Sequence, residues 1–309
     1  MADAATLHQS VLLAEVVAEL APVDGGTYID ATCGLGGHSE AILEACGPTG
    51  RVLAIDRDPR ALELARGRLA RFGSRVTLVE GDFSELRTYA EASDHFPVQG
   101  VVADLGVSSI QLDDGARGFS FSRPGPLDMR MGPRVGETAA DLLERVDLDG
   151  LTRMLRELGE IERPRSMAQA ILRARDDGRL SDTAELAKVI AAAGGGRPSA
   201  IHPATRAFQA IRIAVNRELD ELERLLEVLP QLLVPGGRAA IISFHSLEDR
   251  RVKQAFRDPE PDPALAHLPI DAIKGPFVAL TKRPIIPGDP EIARNPRARS
   301  AKLRVAERR

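Results

Sequence analysis

The sequence predicts an α/β protein: a mostly parallel sheet covered by helices, interrupted once by a helical insertion. Three observations predict it. Short β-branched runs alternate with helix-patterned segments through the N-terminal third, the layout of a parallel sheet covered on both faces. Each of those runs leads into an acid, at Asp30, Asp56, Asp82 and Asp104. The alternation then stops near Asp113 and resumes after about Ala214.

Taken in order, Leu12 to Leu20 has the apolar spacing of an amphipathic helix and leads through Pro22 and Gly25-Gly26 into a first strand, Thr27–Thr32. A helix follows through Glu40–Ala45, then a second strand, Val52–Ile55. Asp58-Pro59 opens the next helix, to about Leu69, because proline suits the first helical turn. Strands at Val76–Val79 and Val98–Ala103 complete the first half. From Asp113 to Ala214 no buried strand is expected. A Gly/Pro/Arg loop (Gly115–Pro133) gives way to helical segments at Ala139–Leu143, Leu151–Leu158, Ser166–Ala174 and Thr183–Ala192, with a glycine-rich break at Gly194-Gly-Gly196-Arg-Pro198. A long helix from about Thr205 to Leu233, with Pro230 as its weak point, returns the chain to the core. Pro235-Gly-Gly237 then reads as a turn, Arg238–Phe244 as a buried strand, and Ser246-Leu-Glu-Asp249 as a capping box for a helix through Phe256. A Pro/Asp-rich loop (Asp258–Pro269) and strands at Phe277–Thr281 and Ala301–Val305 close the chain. The expected division is a discontinuous core, 1–113 and 215–309, around a helical insertion, 114–214. A sheet of seven strands built this way fits a Rossmann-like class I S-adenosylmethionine-dependent methyltransferase.

Composition narrows the class. The 309 residues include 43% apolar and 28% charged, enough for a sizeable core. Only Cys33 and Cys46 occur, which suits a reducing cytoplasm and excludes a disulfide framework or a metal-binding Cys/His pair. No run approaches the roughly 18 apolar residues of a membrane span, so no membrane partner is expected. A net charge of −4 argues against a blanket nucleic-acid binder and confines any polyanion contact to local patches. Two patches qualify. One runs from Lys282 to Arg309 and holds nine basic residues against three acids; the other is the set Arg163, Arg165, Arg173, Arg175, Arg179 and Arg206 in the insertion. Solvated helix faces are the plain alternative for any one of them.

The chemistry centres on Tyr28-Ile-Asp-Ala-Thr-Cys-Gly-Leu-Gly-Gly-His38, followed by Leu53-Ala-Ile-Asp56. Glycines after a strand let backbone N–H groups approach a ligand, and an acid after the second strand suits ribose hydroxyls. The dinucleotide pattern G-x-G-x-x-G is broken here, because Ser39 stands at its third glycine. Asp30, just ahead of the loop, would repel a pyrophosphate but suits an ammonium and a sulfonium, the charges of S-adenosylmethionine. Ligands of open parallel sheets bind at the carboxyl ends of the strands, so four acids in register mark a crevice. Any one of them could simply cap a helix. Phe83 lies where adenine would sit, with an ordinary core position as the alternative. Phe119 and Phe121 interleave with Arg117, Arg123 and Arg130, a mixture that can stack bases and hold phosphates, or pin an ordered loop. Ser243 and His245 do not make a hydrolase, since no G-x-S-x-G elbow exists.

Longer motifs extend this. His8-Gln-Ser-Val-Leu-Leu13, Asp30-Ala-Thr-Cys-Gly-Leu-Gly-Gly-His38, Ile55-Asp-Arg-Asp-Pro59, Asp104-Leu-Gly-Val-Ser-Ser109 with Gln111, Gly118-Phe-Ser-Phe121 and Gly125-Pro-Leu-Asp-Met-Arg-Met131 are joined by five more. These are His202-Pro-Ala-Thr-Arg206, Phe208-Gln-Ala210, Val215-Asn-Arg-Glu-Leu219, Ile242-Ser-Phe-His-Ser-Leu-Glu-Asp-Arg250 and Asn295-Pro-Arg-Ala-Arg-Ser-Ala301. Together they resemble the bacterial ribosomal RNA small subunit methyltransferase H family, also called MraW, nearly end to end; Asp258–Lys282 matches weakly. The resemblance implies methyl transfer from S-adenosylmethionine to N4 of a cytidine in the decoding region of 16S rRNA, with the small ribosomal subunit as partner. It implies cofactor contacts at Gly36, Gly37, His38, Asp56, Phe83, Asp104 and Gln111. It assigns no catalytic base and no metal, gives the insertion as the substrate-recognition part, and leaves a homodimer open. The rival readings are a nicotinamide oxidoreductase, a DNA N4-cytosine or N6-adenine methyltransferase, and a non-catalytic assembly factor. The second lacks its usual D/N/S-P-P-aromatic motif, because the chain reads Asp104-Leu-Gly-Val.

Overall fold

The computed structural model describes residues 10–194, 202–259 and 274–309. The chain divides into two compact units, one of residues 1–106 and 219–309, the other of residues 107–218. The sequence placed these breaks at 113/114 and 214/215. His8 and Gln9 of the first motif, the Gly195–Pro198 part of the glycine-rich break and most of the Asp258–Pro269 loop lie outside the described residues.

The first unit is built on a seven-stranded sheet, order β3-β2-β1-β4-β5-β7-β6. Its strands are β1 (Thr27–Asp30), β2 (Arg51–Asp56), β3 (Val76–Glu80), β4 (Val98–Asp104), β5 (Leu233–Ser243), β6 (Phe277–Ala279) and β7 (Lys302–Arg308). The first five are parallel, and β7 runs antiparallel to both β5 and β6. The helices are α1 (Leu13–Leu20), α2 (Gly37–Ala45), α3 (Pro59–Leu69), α4 (Leu86–Ala92), and, after the second unit, α11 (Glu218–Leu232), α12 (Ser246–Ala255) and α13 (Asp289–Arg294).

Alternation along the strands explains why the sheet needs cover on both faces. Tyr28, Val52 and Ala54 join one apolar cluster with Val16, Leu20, Ile42 and Leu69. Their neighbours Ile29, Leu53 and Ile55 join the other, with Leu86, Leu222, Leu225 and Leu229. A fully buried aliphatic side chain contributes about 1.5–3 kcal/mol, so β2, with Val52 to Ile55 all at 0% exposure, anchors both layers. The β4–β5 register jumps between Val98 paired with Leu233 and Gly100 paired with Arg238. The extra residues, Val234 to Gly237, are the predicted Pro-Gly-Gly turn. They bulge out of β5, which therefore begins at Leu233 rather than at Arg238.

The second unit holds α5 (Ser109–Asp113), α6 (Ala139–Arg145), α7 (Leu148–Glu157), α8 (Pro164–Asp176), α9 (Thr183–Ala193) and α10 (Ala204–Asn216) around its own core of Leu142, Leu143, Leu151, Leu155, Ile171, Ile190 and Ile211. Its helices begin where the sequence supplies caps. Ser108 and Thr138 form capping boxes with Gln111 and Asp141, and Asp147 and Asp182 accept backbone N–H groups directly.

Two expectations are corrected. The long helix predicted from Thr205 to Leu233 is two helices, α10 and α11. They part at Arg217, whose φ of 50° and ψ of 39° are left-handed, while Pro230 sits inside α11. Neither glycine nor proline marks that break in the sequence. The capping box at α12 starts one residue earlier than expected: His245 is the cap, its Nδ1 accepting from Glu248 N and the Glu248 carboxylate accepting from His245 N, and Ser246 is the first helical residue. Among the described residues, no helix is long and apolar enough to cross a membrane.

Candidate functional site

The carboxyl ends of β1, β2 and β4 carry the chemistry. Gly34 (φ 52°) and Gly36 (φ 77°) both adopt left-handed backbone, which glycine takes without the cost of a Cβ. A side chain at Gly36 would meet Leu69 at 3.0 Å, and one at Gly37 would meet Ser10 Oγ at 2.0 Å. At Gly34 the nearest atom, Thr32 O, is 3.9 Å away, so the loop presents bare backbone there. The loop runs into the N-terminus of α2, whose first N–H groups have no intrahelical acceptor and favour anionic groups.

Three acids hold this loop in place, and burial perturbs all of them. Asp30 is fully buried; its oxygens accept from Ser39 Oγ at 2.7 Å and Thr32 N at 3.2 Å, yet burial raises its pKa to about 6. Asp56 accepts from Gly34 N at 2.7 Å and Asp58 N at 2.9 Å, and burial again raises it to about 6. One Asp56 oxygen thus serves the glycine loop and the other the turn after β2, and each keeps a lone pair for a hydroxyl donor. Asp104 differs. Its backbone N–H donates to Thr32 Oγ1 at 2.6 Å, but its Oδ1 is buried with no hydrogen-bond partner. Burial first, then the charges of Asp30 and Glu248, push its carboxyl well above the usual range.

A buried acceptor left unpaired costs about 1–3 kcal/mol, more when charged. The orphaned Asp104 oxygen, with Asp30 and Glu248 near it, is free to accept from a cationic ligand and is a poor setting for a pyrophosphate. That fits the ammonium and sulfonium of S-adenosylmethionine. It does not fit a nicotinamide dinucleotide.

The other predicted residues fall into place unequally. Phe83 opens a short turn after β3, half-buried, with the Arg57 guanidinium 5.7 Å from its ring centre; Arg57 also pairs with Asp82 at 2.9 Å. His38 is buried and its Nε2 donates to Val11 O at 3.0 Å, while burial lowers its pKa to about 4, so the ring is neutral and ties down the segment before α1. The Nε2 edge of the ring is thus committed to Val11 rather than to a ligand. Gln111 belongs to the second unit: its Oε1 accepts from Ser108 N and its Nε2 donates to Met131 O at 3.1 Å. The arginines of the Gly115–Pro133 loop are engaged internally. Arg117 donates to the carbonyls of Arg130 and Met131, Arg130 forks onto Asp128, and Arg123 pairs with Asp113. Phe119 is buried, while Phe121 stacks on His202 with centroids 4.8 Å apart.

Sequence reasoning missed Thr32, Ser39 as the partner of Asp30, Arg57, and Glu248. Glu248 carried a signal, since an acid three residues past a polar residue is the capping-box pattern, but the cap was assigned one position late.

A seven-stranded sheet with one reversed strand, a glycine loop after β1 and acids at successive strand ends define a Rossmann-like class I methyltransferase, which uses S-adenosylmethionine. The chain belongs to the MraW methylase family, whose profile matches residues 5–309. It is 51% identical to the ribosomal RNA small subunit methyltransferase H of Sorangium cellulosum over 97% of this chain and 90% of that protein. Identity is also 51% to the enzyme of the same name from Anaeromyxobacter dehalogenans, over 97% of both chains. The corresponding protein of Thermomicrobium roseum is 47% identical over 98% of this chain and 94% of its own.

Proposed function

We propose that this protein transfers a methyl group from S-adenosylmethionine to N4 of a cytidine in the decoding region of 16S rRNA, acting in the cytoplasm on the small ribosomal subunit. The observation that carries the reading is Asp104, a half-buried acid at the end of β4 whose buried Oδ1 lacks a hydrogen-bond partner. Full-length similarity to proteins named for small-subunit ribosomal RNA supports the acceptor.

The cofactor supplies an electrophilic methyl on a sulfonium. The chain's own residues do the rest by holding and orienting. Gly36, Gly37 and His38 offer backbone at the start of α2, Asp56 accepts from ribose hydroxyls, and Phe83 frames the base of the cofactor. Asp104 receives positive charge. Gln111 enters the set on the family resemblance alone, beside its observed capping duty. The second unit recognises the RNA, with the half-exposed Phe121 and its partner His202 offering an aromatic platform for an unstacked base.

The N4 lone pair of cytosine is delocalised into the ring, so the amine is a weak nucleophile. Alignment of N4 behind the methyl is then the main contribution to rate. A paired amine is out of reach, which requires an unstacked, unpaired base. Tritiated methyl transfer to small subunits from a strain lacking the enzyme, followed by nucleoside analysis, tests the proposal. Label in N4-methylcytidine is expected; label in another nucleoside, or none, overturns it.

A further inference from the structure

Far along the sheet from the glycine loop lies a cavity of about 380 Å³ between α12, β6 and β7. Four strand spacings separate β1 from β6, on the order of 19 Å. Five cations line the cavity, Lys253, Arg257, Lys282, Arg304 and Arg309, against one carboxylate, Asp258. That carboxylate is already bound by Arg309, at 2.8 Å and 3.1 Å. The excess of positive charge is notable in a chain whose net charge is −4.

Arg304 distinguishes the cavity from a solvated basic face. Its side chain is only 8% exposed, and Nε donates to Asp249 at 2.6 Å. Its other guanidinium nitrogens make no hydrogen bond among the described residues. Lys253, Arg257 and Lys282 likewise have no ion-pair partner among them. Burying an arginine costs several kcal/mol unless its donors are met, and a planar fork of N–H groups matches a phosphate. Phe256 and Phe277, both 2% exposed, form a rigid floor with ring centres 5.3 Å apart.

We propose that this cavity is a second RNA contact, holding a backbone phosphate of the substrate outside the methyl-transfer site, with Arg304 as the buried fork and Lys253 and Lys282 as its partners. The inference rests on the RNA reading above. It makes the contact a matter of affinity and register, without a part in the chemistry.

The test is a double substitution, Lys253→Ala with Lys282→Ala, at positions that reach solvent and carry no fold-defining bond. Binding of the full-length protein to a 16S rRNA transcript is followed between 50 and 200 mM salt. The cavity holds one phosphate, so its loss lowers the log–log salt slope by about 0.7 to 0.9 and weakens binding several-fold at physiological salt. KM for RNA rises, whereas kcat at saturating RNA and affinity for S-adenosylmethionine stay as in wild type. An unchanged slope and affinity, with methyl transfer intact, overturn the cavity proposal alone. Failure of the wild-type protein to bind or methylate any RNA would instead sink the functional reading on which it rests.

Discussion

The two units treat their buried polar groups in opposite ways. In the second unit, polar side chains in the interior are satisfied locally. Asn216 accepts from Met131 N at 2.7 Å and donates to the carbonyls of Met129 and Arg212 at 2.7 Å and 2.9 Å. Gln111 closes a capping box and reaches Met131 O. In the first unit, the ends of β1, β2 and β4 hold three carboxyls displaced upward by burial, one with a bare oxygen. One unit spends its polar groups on rigidity. The other keeps charge in an unfavourable setting, which is useful only where a ligand of opposite charge arrives.

Substitutions at the sheet edge should separate stability from binding, and those in the helical unit should not. The largest effect is expected for Asp104→Asn. Loss of a charged contact of about 1.5–3 kcal/mol lowers S-adenosylmethionine affinity roughly 10- to 150-fold. The ligand-free fold, relieved of a buried carboxylate, gains stability. Calorimetric titration and thermal melts read the two signs. A destabilised variant with wild-type affinity would break the comparison, and normal affinity with abolished transfer would give Asp104 a role in the chemistry instead.

Next in size is the pH dependence of the ligand-free fold. Asp30 is raised from 3.8 to about 6 in the folded state. Its protonated form is therefore favoured by folding. The corresponding stability is fully present below pH 3.8 and is lost as pH rises through about 6. A displacement of this size is worth about 3 kcal/mol. Denaturant melts between pH 4 and 7 should show part of that loss, and Asp30→Asn should reduce it, leaving the shares of Asp56 and Asp104. A profile unchanged by Asp30→Asn would contradict the buried-charge account.

In the second unit, Asn216→Ala should destabilise by about 1–3 kcal/mol by leaving buried backbone groups unpaired, with cofactor affinity unchanged. Gln111→Ala sharpens the contrast. A similar loss of stability with little change in affinity gives it a purely structural role, and the reverse result makes it a cofactor contact. The smallest effect is expected for Ala21→Gly. Ala21 ends α1 at φ 48° and ψ 63°, a left-handed cap where glycine avoids about 1 kcal/mol of strain. The melting temperature should rise by a few degrees with no change in either activity.

Much of this was legible in the sequence, and the reasons are local. Strands ended by Asp30, Asp56 and Asp104 could be read because β-branched runs, glycines and acids fall at fixed offsets. Asp58-Pro59 announced α3, and Thr138, Asp147 and Asp182 sit where helix starts need acceptors. The break at Arg217 was not legible, since a left-handed arginine is set by its surroundings and has no composition signal. The competing duties of His38 and Gln111 were hidden for a related reason: their partners, Val11 O and Met131 O, are carbonyls, which no residue type announces. The cavity around Arg304 joins α12 to the last strands, so the basic run from Lys282 to Arg309 showed charge without showing concavity.

The central claim is that Asp104 keeps an unpaired carboxyl oxygen for a cationic ligand, its pKa raised in the ligand-free protein by burial and then by the charges of Asp30 and Glu248. S-adenosylmethionine titrated into the ligand-free protein across a pH series, in buffers of different ionisation enthalpy, tests it most directly. Release of protons on binding, reduced in Asp104→Asn, is the predicted result, with affinity rising as pH rises. Binding with no proton exchange in the wild-type protein would contradict it.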